Sequence, residues 1–191
     1  MHGMPDGVQV HPQALCESDD VGAGTRIWAF AHVLAGATIG RDCNIGDHAF
    51  IEGGAVLGDR VTVKNHVLVW DGVTIGDDVF LGPAMTFTND LAPRARALRG
   101  ERDWLRRTLI ETGASLGANV TVVCGITVGR YAMAGAGAVL TRDVRPHALV
   151  VGNPARRIGW VCVCGTRLED DFACVDCHRR YAVADDELRA R

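Results

Sequence analysis

Residues 37–87 read ATIGRDCNIGDHAFIEGGAVLGDRVTVKNHVLVWDGVTIGDDVFLGPAMTF, and every sixth position from Ile39 is large and apolar. The series Ile39, Ile45, Ile51, Leu57, Val63, Val69, Ile75, Leu81 and Phe87 extends backward through Val33, Ile27 and Val21 to Leu15. It resumes on a new phase at Ile110, Leu116, Val122, Val128, Ala134 and Leu140. A smaller residue stands two places before most of these, such as Ala37, Cys43, Ala49, Val61 and Ala114. Glycine often follows directly, as at Gly40, Gly46, Gly58 and Gly76. A fixed period of this kind marks a repeat architecture. Alternate residues of a strand share a face, so the small residue and the large one both point inward. The glycine after them permits the backbone angles of a tight corner. Three six-residue units close a triangular coil of eighteen residues, and stacked coils pair their backbones. The expected fold is therefore all-β, a parallel β-helix. Periodicity leaves its hand open, although parallel crossovers are usually right-handed. An antiparallel sandwich would need irregular strand lengths and hairpin turns instead.

At 191 residues, one main domain with a small appendage is expected. The expected divisions are a lead-in over 1–14, the β-helix over 15–160 with a loop at 88–109, and a tail over 161–191. A net charge of −3 and a pI near 6.1 argue against a nucleic-acid partner. No apolar stretch approaches the roughly 20 residues that span a bilayer, and residues 1–12 lack the apolar core of a secretory signal. The expectation is a cytoplasmic chain with no membrane partner. Seven cysteines, four of them clustered at one end, suit reduced thiols and a metal better than a disulfide framework.

A repeat shows its function where the pattern fails. Residues eighteen apart stack, so each corner becomes a column. The first reads Gly22, Gly40, Gly58, Gly76, all glycine and structural. The second reads Trp28, Gly46, Lys64, Gly82, and His48 and His66 stack close by on the same corner. The third reads Leu34, Glu52, Trp70, Thr88, with no glycine at all. Its next positions give Gly53, Asp71, Asn89 and then Gly54, Gly72, Asp90. Glu52, Trp70, Asp71, Thr88, Asn89 and Asp90 thus share one edge over three adjacent coils. Neighbouring strands lie about 4.8 Å apart, within reach of one small substrate.

The loop leaves from that third corner. The segment from Thr88 to Thr108, TNDLAPRARALRGERDWLRRT, is rich in arginine, beginning with Arg94, and carries Trp104. Long loops in compact domains are functional or disordered, and arginines beside a tryptophan suit an anionic ligand bearing phosphates. A solvated surface excursion is the plainer alternative. The last coils, from Ile110 to Leu140, become small-residue rich. That composition suits either a thin ligand lying against the backbone or tight packing between subunits.

The repeat, the loop and the ending AGAGAVLTRDVRPHALVVGNPARRIGW resemble the left-handed β-helix acyltransferases of the hexapeptide family. The segments IWAFAHV, CNIGDHAFIE, VTVKNHVLVWDGVTIGDDVFLGPAMTFTND and the following Pro-Arg are similar to N-acetyltransferases of nucleotide-linked 3-amino sugars. These act on dTDP-3-amino-3,6-dideoxyhexoses or UDP-2,3-diaminoglucuronate. The resemblance covers roughly residues 10–160, and it implies a left hand for the coil. It also implies acetyl transfer from acetyl-CoA to the sugar amine, in a homotrimer with active sites between subunits. The pantetheine arm would then run near Gly113, Ala118, Ala136 and Ala138, with Arg142 and Arg156 meeting CoA phosphates. The nucleotide sugar would touch Glu52, Lys64, Trp70 and Asp71, with Thr88, Asp90 and Arg94 on the same edge. Lys64 with Leu68, Val69, Trp70 and Asp71 leans toward the dTDP-sugar enzymes.

The chemistry asks for particular groups. An amine attacks a thioester only when unprotonated, and the tetrahedral intermediate needs donors for its oxyanion. Asn89 can offer an acceptor to the amine and donors to an oxygen. Asp71 or Asp90 can hold the ammonium form before it loses its proton. His66 is the nearby side chain of the type that titrates near neutrality, although it belongs to the adjacent corner. Members of the resembling subfamily are thought to rely on positioning without a dedicated base. The ranking of catalytic candidates is therefore Asn89, then Asp71, then His66.

After Trp160 the composition changes, and Cys162, Cys164, Cys174 and Cys177 give C-x-C, nine residues, then C-x-x-C. Four thiolates at this spacing suit a tetrahedral structural zinc ion in a zinc-ribbon-like extension. A segment this short could not otherwise bury a core. His178 is an alternative ligand, and Cys16, Cys43 and Cys124 read as small core or corner residues. Two rivals stand beside the transferase. A γ-carbonic-anhydrase-like metalloenzyme would use His32, His48 and His66, but the close histidine pair of that family is missing. A non-catalytic scaffold would leave the third corner and the loop unexplained.

Overall fold

The computed structural model describes residues 7–94, 104–185 and 187–191. Two-residue strands separated by four-residue corners repeat along the chain, and nearly all of them pair in parallel. They form three sheets, each one face of a triangular coil. One face has five strands and leads into the first corner; a second has ten and leads into the second; a third has seven and leads into the third. The register from Val21 to the loop is eighteen residues, as in Arg26 opposite Asn44, Thr38 opposite Val56 and Leu68 opposite Phe50. Across the loop it jumps to thirty-five, Ile75 lying opposite Ile110, so the loop is an insertion that leaves the stacking intact. Among the described residues there is no helix, and none long and apolar enough to cross a membrane.

The alternation of small and large inward residues builds the core. Ala37, Ala49, Val61, Val67 and Ala114 are fully buried beside Ile39, Ile51, Val63, Val69 and Leu116. Phe87, the largest of the fully buried side chains, closes the last unbroken coil before the loop at 1 % exposure.

Two expectations are corrected. Leu15 is not an inward residue but 51 % exposed, and Cys16 takes its place opposite Val33. The coil is one residue short between Cys16 and Val21. Ser18 is buried there, and its hydroxyl donates to the Ala37 carbonyl at 2.6 Å in place of an apolar contact. The ladder also begins ahead of residue 15, since Gln9–Val10 already pairs with Arg26–Ile27.

The glycines directly after the large inward residues, such as Gly40 and Gly82, do not supply left-handed backbone, unlike Gly54 and Gly72 further along the third corner. That task falls to residues two places later: His48, His66, Arg60 and Asp78 have φ of 58°, 61°, 56° and 59°. What the glycine columns supply is close approach. A Cβ on Gly82 would lie 2.6 Å from the Gly117 carbonyl carbon of the next coil, nearer than real Cβ atoms come.

The tail grows out of the coil. Ala148–Val151, the last coil strand of the ten-stranded face, pairs antiparallel with Arg156–Val161, which pairs with Arg167–Leu168. The expected boundary at 160 therefore falls inside a strand. A hairpin of Tyr181–Ala184 and Glu187–Ala190 completes the chain.

Candidate active site

The third corner carries its polar residues because the chain there departs from glycine. The Glu52 carboxylate accepts the backbone N–H of Asp71 at 2.8 Å, bracing one coil with a side chain from the coil before. The Asp71 carboxylate in turn leans over Gly54, where a Cβ would collide with Asp71 Oδ1. Trp70 is half-buried and tilted against Phe50, with ring centroids 5.6 Å apart. Its indole N–H donates to the Phe87 carbonyl at 2.9 Å, so the ring is fixed across two coils. Asn89 and Asp90 follow at half-buried positions where the loop departs.

The neck of the loop is pinned on this corner. The Asn89 carbonyl accepts the Arg106 N–H at 3.1 Å, and the Thr108 N–H donates to the Gly72 carbonyl at 3.0 Å. A Cβ on Gly72 would meet Leu105 at 3.2 Å, so the returning chain lies directly over this glycine. The arginines from Arg96 to Arg102 lie outside the described residues, whereas Arg94 is described and exposed.

The predicted residues divide into groups. Glu52, Trp70, Asp71, Thr88, Asn89, Asp90 and Arg94 fall on or just beyond the third corner. Within that group, the Thr88 hydroxyl is engaged by the protein, accepting the Cys124 N–H at 2.9 Å. Lys64, His66, Ala118 and Ala136 lie on the second corner, and Gly113 on the first. The His66 ring stacks on His48 at 4.9 Å and 5°, the separation of adjacent coils, and His48 stacks on Phe30 at 4.9 Å. Six residues of mostly extended chain separate Lys64 from Trp70, a span of roughly 15 Å. One sugar cannot touch both corners within a single chain.

Ala138 is a correction: it is fully buried, pointing into the core, because it holds the small inward place two residues before Leu140. Ala136, two residues earlier, is exposed. Arg142 and Arg156, by contrast, line one cavity of about 180 Å³ at the end of the coil. Arg145, Arg157 and Asp143 line it with them. Sequence reasoning missed Arg145 and Arg157, since the fold back of Arg156–Val161 that gathers them has no repeat signature. Asp143 Oδ1 accepts the Thr127 N–H at 2.8 Å, and the Arg157 guanidinium sits 4.3 Å from the Trp160 ring centre.

Cys162, Cys164, Cys174 and Cys177 bring their sulfurs within 4.8 Å of one another, the only such metal-ligating cluster among the described residues. The Cys164 thiol lies 3.3 Å from the Thr166 hydroxyl oxygen, while burial pushes the Cys162 thiol up to about 11. His178 is not within this sulfur cluster. His32, His48 and His66 form no such group either, His32 sitting beside Glu17 at 3.6 Å. Cys43 and Cys124 are buried and Cys16 half-buried, as core or corner residues.

Comparison with known proteins agrees with this architecture. Residues 20–53 match the bacterial transferase hexapeptide model (six repeats), and residues 107–142 match the hexapeptide repeat of succinyl-transferase. The chain is 49 % identical over 178 residues to the dTDP-3-amino-3,6-dideoxy-α-D-galactopyranose 3-N-acetyltransferase of Aneurinibacillus thermoaerophilus. That match covers 92 % of this chain and 91 % of the relative. Among solved structures, a variant of AntD, an N-acyltransferase from Bacillus cereus, matches with TM-score 0.55 and 16 % identity over 82 % of each chain. That structure was solved in complex with dTDP-4-amino-4,6-dideoxyglucose and coenzyme A. The acetyltransferase domain of PglB from Neisseria gonorrhoeae FA1090 matches with TM-score 0.50 and 22 % identity, covering 81 % of this chain and 56 % of that one. These two likenesses concern the fold alone. With nearly half its residues shared along almost the whole length of the Aneurinibacillus enzyme, the chain belongs to the hexapeptide-repeat acyltransferase family of that 3-N-acetyltransferase.

Proposed function

We propose that this protein transfers acetyl from acetyl-CoA to the 3-amino group of a nucleotide-linked amino sugar. The observation that carries the reading is the 49 % identity, over nearly the whole chain, to an enzyme named for this reaction on a dTDP sugar. The nucleotide sugar lies on the third corner. Trp70, fixed by the Phe87 carbonyl, offers a flat apolar surface to a base or sugar ring. Asp71, whose N–H is braced by Glu52, holds the amine as ammonium until it loses its proton to water. The unprotonated amine then attacks the thioester carbonyl, and the Asn89 side-chain amide donates to the oxyanion of the tetrahedral intermediate. The intermediate's nitrogen gives up its extra proton, the C–S bond breaks, and CoA leaves as a thiolate that takes up a proton to become the free thiol.

Acetyl-CoA runs along the small-residue coils, past Ala118 and Ala136 on the second corner. Its phosphates meet the cavity of Arg142, Arg145, Arg156 and Arg157, where guanidinium forks match phosphate oxygens. The separation of Lys64 and His66 from Asp71 and Asn89 supports a homotrimer, in which the second corner of one chain faces the third corner of its neighbour. In that assembly His66 reaches the site from the next subunit. We also propose a left hand for the coil, a structural zinc ion on the four cysteines, and a cytoplasmic location suited to seven cysteines without a disulfide. Acetylation of N3 is tested by NMR of the product from a dTDP-3-amino-3,6-dideoxyhexose. An acetyl group on a hydroxyl, or no acetylated product, contradicts the assignment.

A further inference from the structure

We propose that the zinc-loaded tail is a clamp that holds the strand Arg156–Val161 against the last coil, with Tyr181 as the residue tying metal to coil. Two turns of similar build face each other. In the first, Gly165, with φ of 93°, follows Cys164, and its N–H donates to the Cys162 carbonyl at 2.9 Å. In the second, His178, with φ of 62°, follows Cys177, and its N–H donates to the Cys174 carbonyl at 3.0 Å. Each turn aims two sulfurs at one point, and the Thr166 hydroxyl donates to the Asp176 carboxylate to cross-link them. A tetrahedral ion with four sulfur ligands at about 2.3 Å fits sulfurs gathered this closely.

Polar side chains reach the sulfurs. Tyr181 Oη lies 3.1 Å from Cys162 Sγ and accepts the Val163 N–H at 3.2 Å. With its oxygen accepting from Val163, the Tyr181 hydroxyl has its own proton to turn toward Cys162 Sγ. Arg179 donates to Cys177 Sγ at 3.4 Å, a cation beside a site that four thiolates make anionic.

From Tyr181 the contact chain runs into the β-helix. Its ring meets His147 at 5.6 Å, and His147 stacks on Tyr131 at 5.2 Å. A His147 ring nitrogen lies 3.0 Å from the Val161 carbonyl, the residue just before Cys162. Met133 of the coil faces Gly165 of the first turn, 3.7 Å from where a Cβ would stand. The metal ligands and the arginines of the coil-end cavity therefore share one strand: Cys162 follows Arg156–Val161 directly. Without the ion, the two turns are joined by Thr166–Asp176 and by the Val163 N–H to Tyr181 Oη bond, and the strand Arg156–Val161 keeps its pairing with Ala148–Val151 but loses its anchor at Cys162. The part of this inference that concerns CoA rests on the cavity being a phosphate site; the clamp itself does not.

The test uses the full chain and three readouts. Elemental analysis of wild-type protein, purified without chelator, gives one zinc per chain; four reactive thiols and no zinc would overturn the proposal. Hydrogen exchange with and without zinc, removed by a chelator under reducing conditions, gives faster exchange at 148–161 while 44–81 stays protected. Equal protection of 148–161 in both states would overturn the clamp. Tyr181→Phe keeps the ring and loses the proton to Cys162, and it weakens zinc retention against a chelator by about tenfold. Unchanged retention would remove Tyr181 from its role. None of these readouts depends on acetyl transfer, so a failed transferase assay and a failed clamp are separately visible.

Discussion

At the residue scale, Asn89 and Glu52 make the sharpest demands on the proposed mechanism. Replacing an oxyanion donor costs roughly a hundredfold or more in kcat, so Asn89→Ala should lower kcat by that factor. Its melting temperature should stay close to wild type, because the contact pinning the loop neck runs through the Asn89 backbone carbonyl and survives the change. Steady-state kinetics beside a thermal melt decide this, and full activity in Asn89→Ala would remove its catalytic assignment. Glu52 acts at one remove, by accepting the Asp71 N–H. Glu52→Gln keeps an acceptor and should leave KM for the sugar within about twofold, whereas Glu52→Ala loses a charge-assisted bond worth about 1.5–3 kcal/mol. Kinetics of the pair separate hydrogen bonding from charge: a large KM rise in Glu52→Gln would mean the charge itself meets the substrate. The sequence made Glu52 and Trp70 visible because they stand where a corner glycine is expected, and Asp71 because it follows Trp70 on that corner. It could not reveal that Thr88 is engaged by Cys124, since that partner lies beyond the inserted loop.

At the scale of elements, the repeat was legible because one rule governs it: small and large residues alternate inward at a fixed period. Where geometry rather than hydrophobicity decides, the reading slipped. Leu15 is as apolar as any core residue, yet the short step after Cys16 turns it to solvent. Ala138 was assigned to a ligand because it is small, and it is small because the core requires it there. The glycines after the large inward residues read as easing the backbone through a corner, whereas space between coils is what selects them. That distinction is testable at Gly82, where no positive φ confuses the result. A Cβ there would press on the Gly117 backbone at 2.6 Å, and overpacking of this kind costs typically 1–3 kcal/mol. Gly82→Ala should lower stability by about that amount in urea unfolding; an unchanged midpoint would mean that the coils separate freely.

At the scale of the whole molecule, the site candidates lie on two different corners of the same prism. Either the substrate bridges two copies of the chain or the second-corner residues serve only packing. Light scattering at micromolar concentration should give three times the 20.4 kDa chain mass, and a monomer that retains full activity would exclude His66 and Lys64 from the site. The tail and the coil-end cavity were only half legible: cysteine spacing announced the ligands, but the antiparallel return of Arg156–Val161 carries no periodic mark. The most direct test of the account is the rate of CoA thiol release from acetyl-CoA, with a panel of dTDP- and UDP-linked 3-amino sugars as acceptors. Thiol release that depends on the acceptor, fastest with a dTDP-3-amino-3,6-dideoxyhexose, is the predicted result. No release with any member of the panel, together with no binding of CoA, would contradict it.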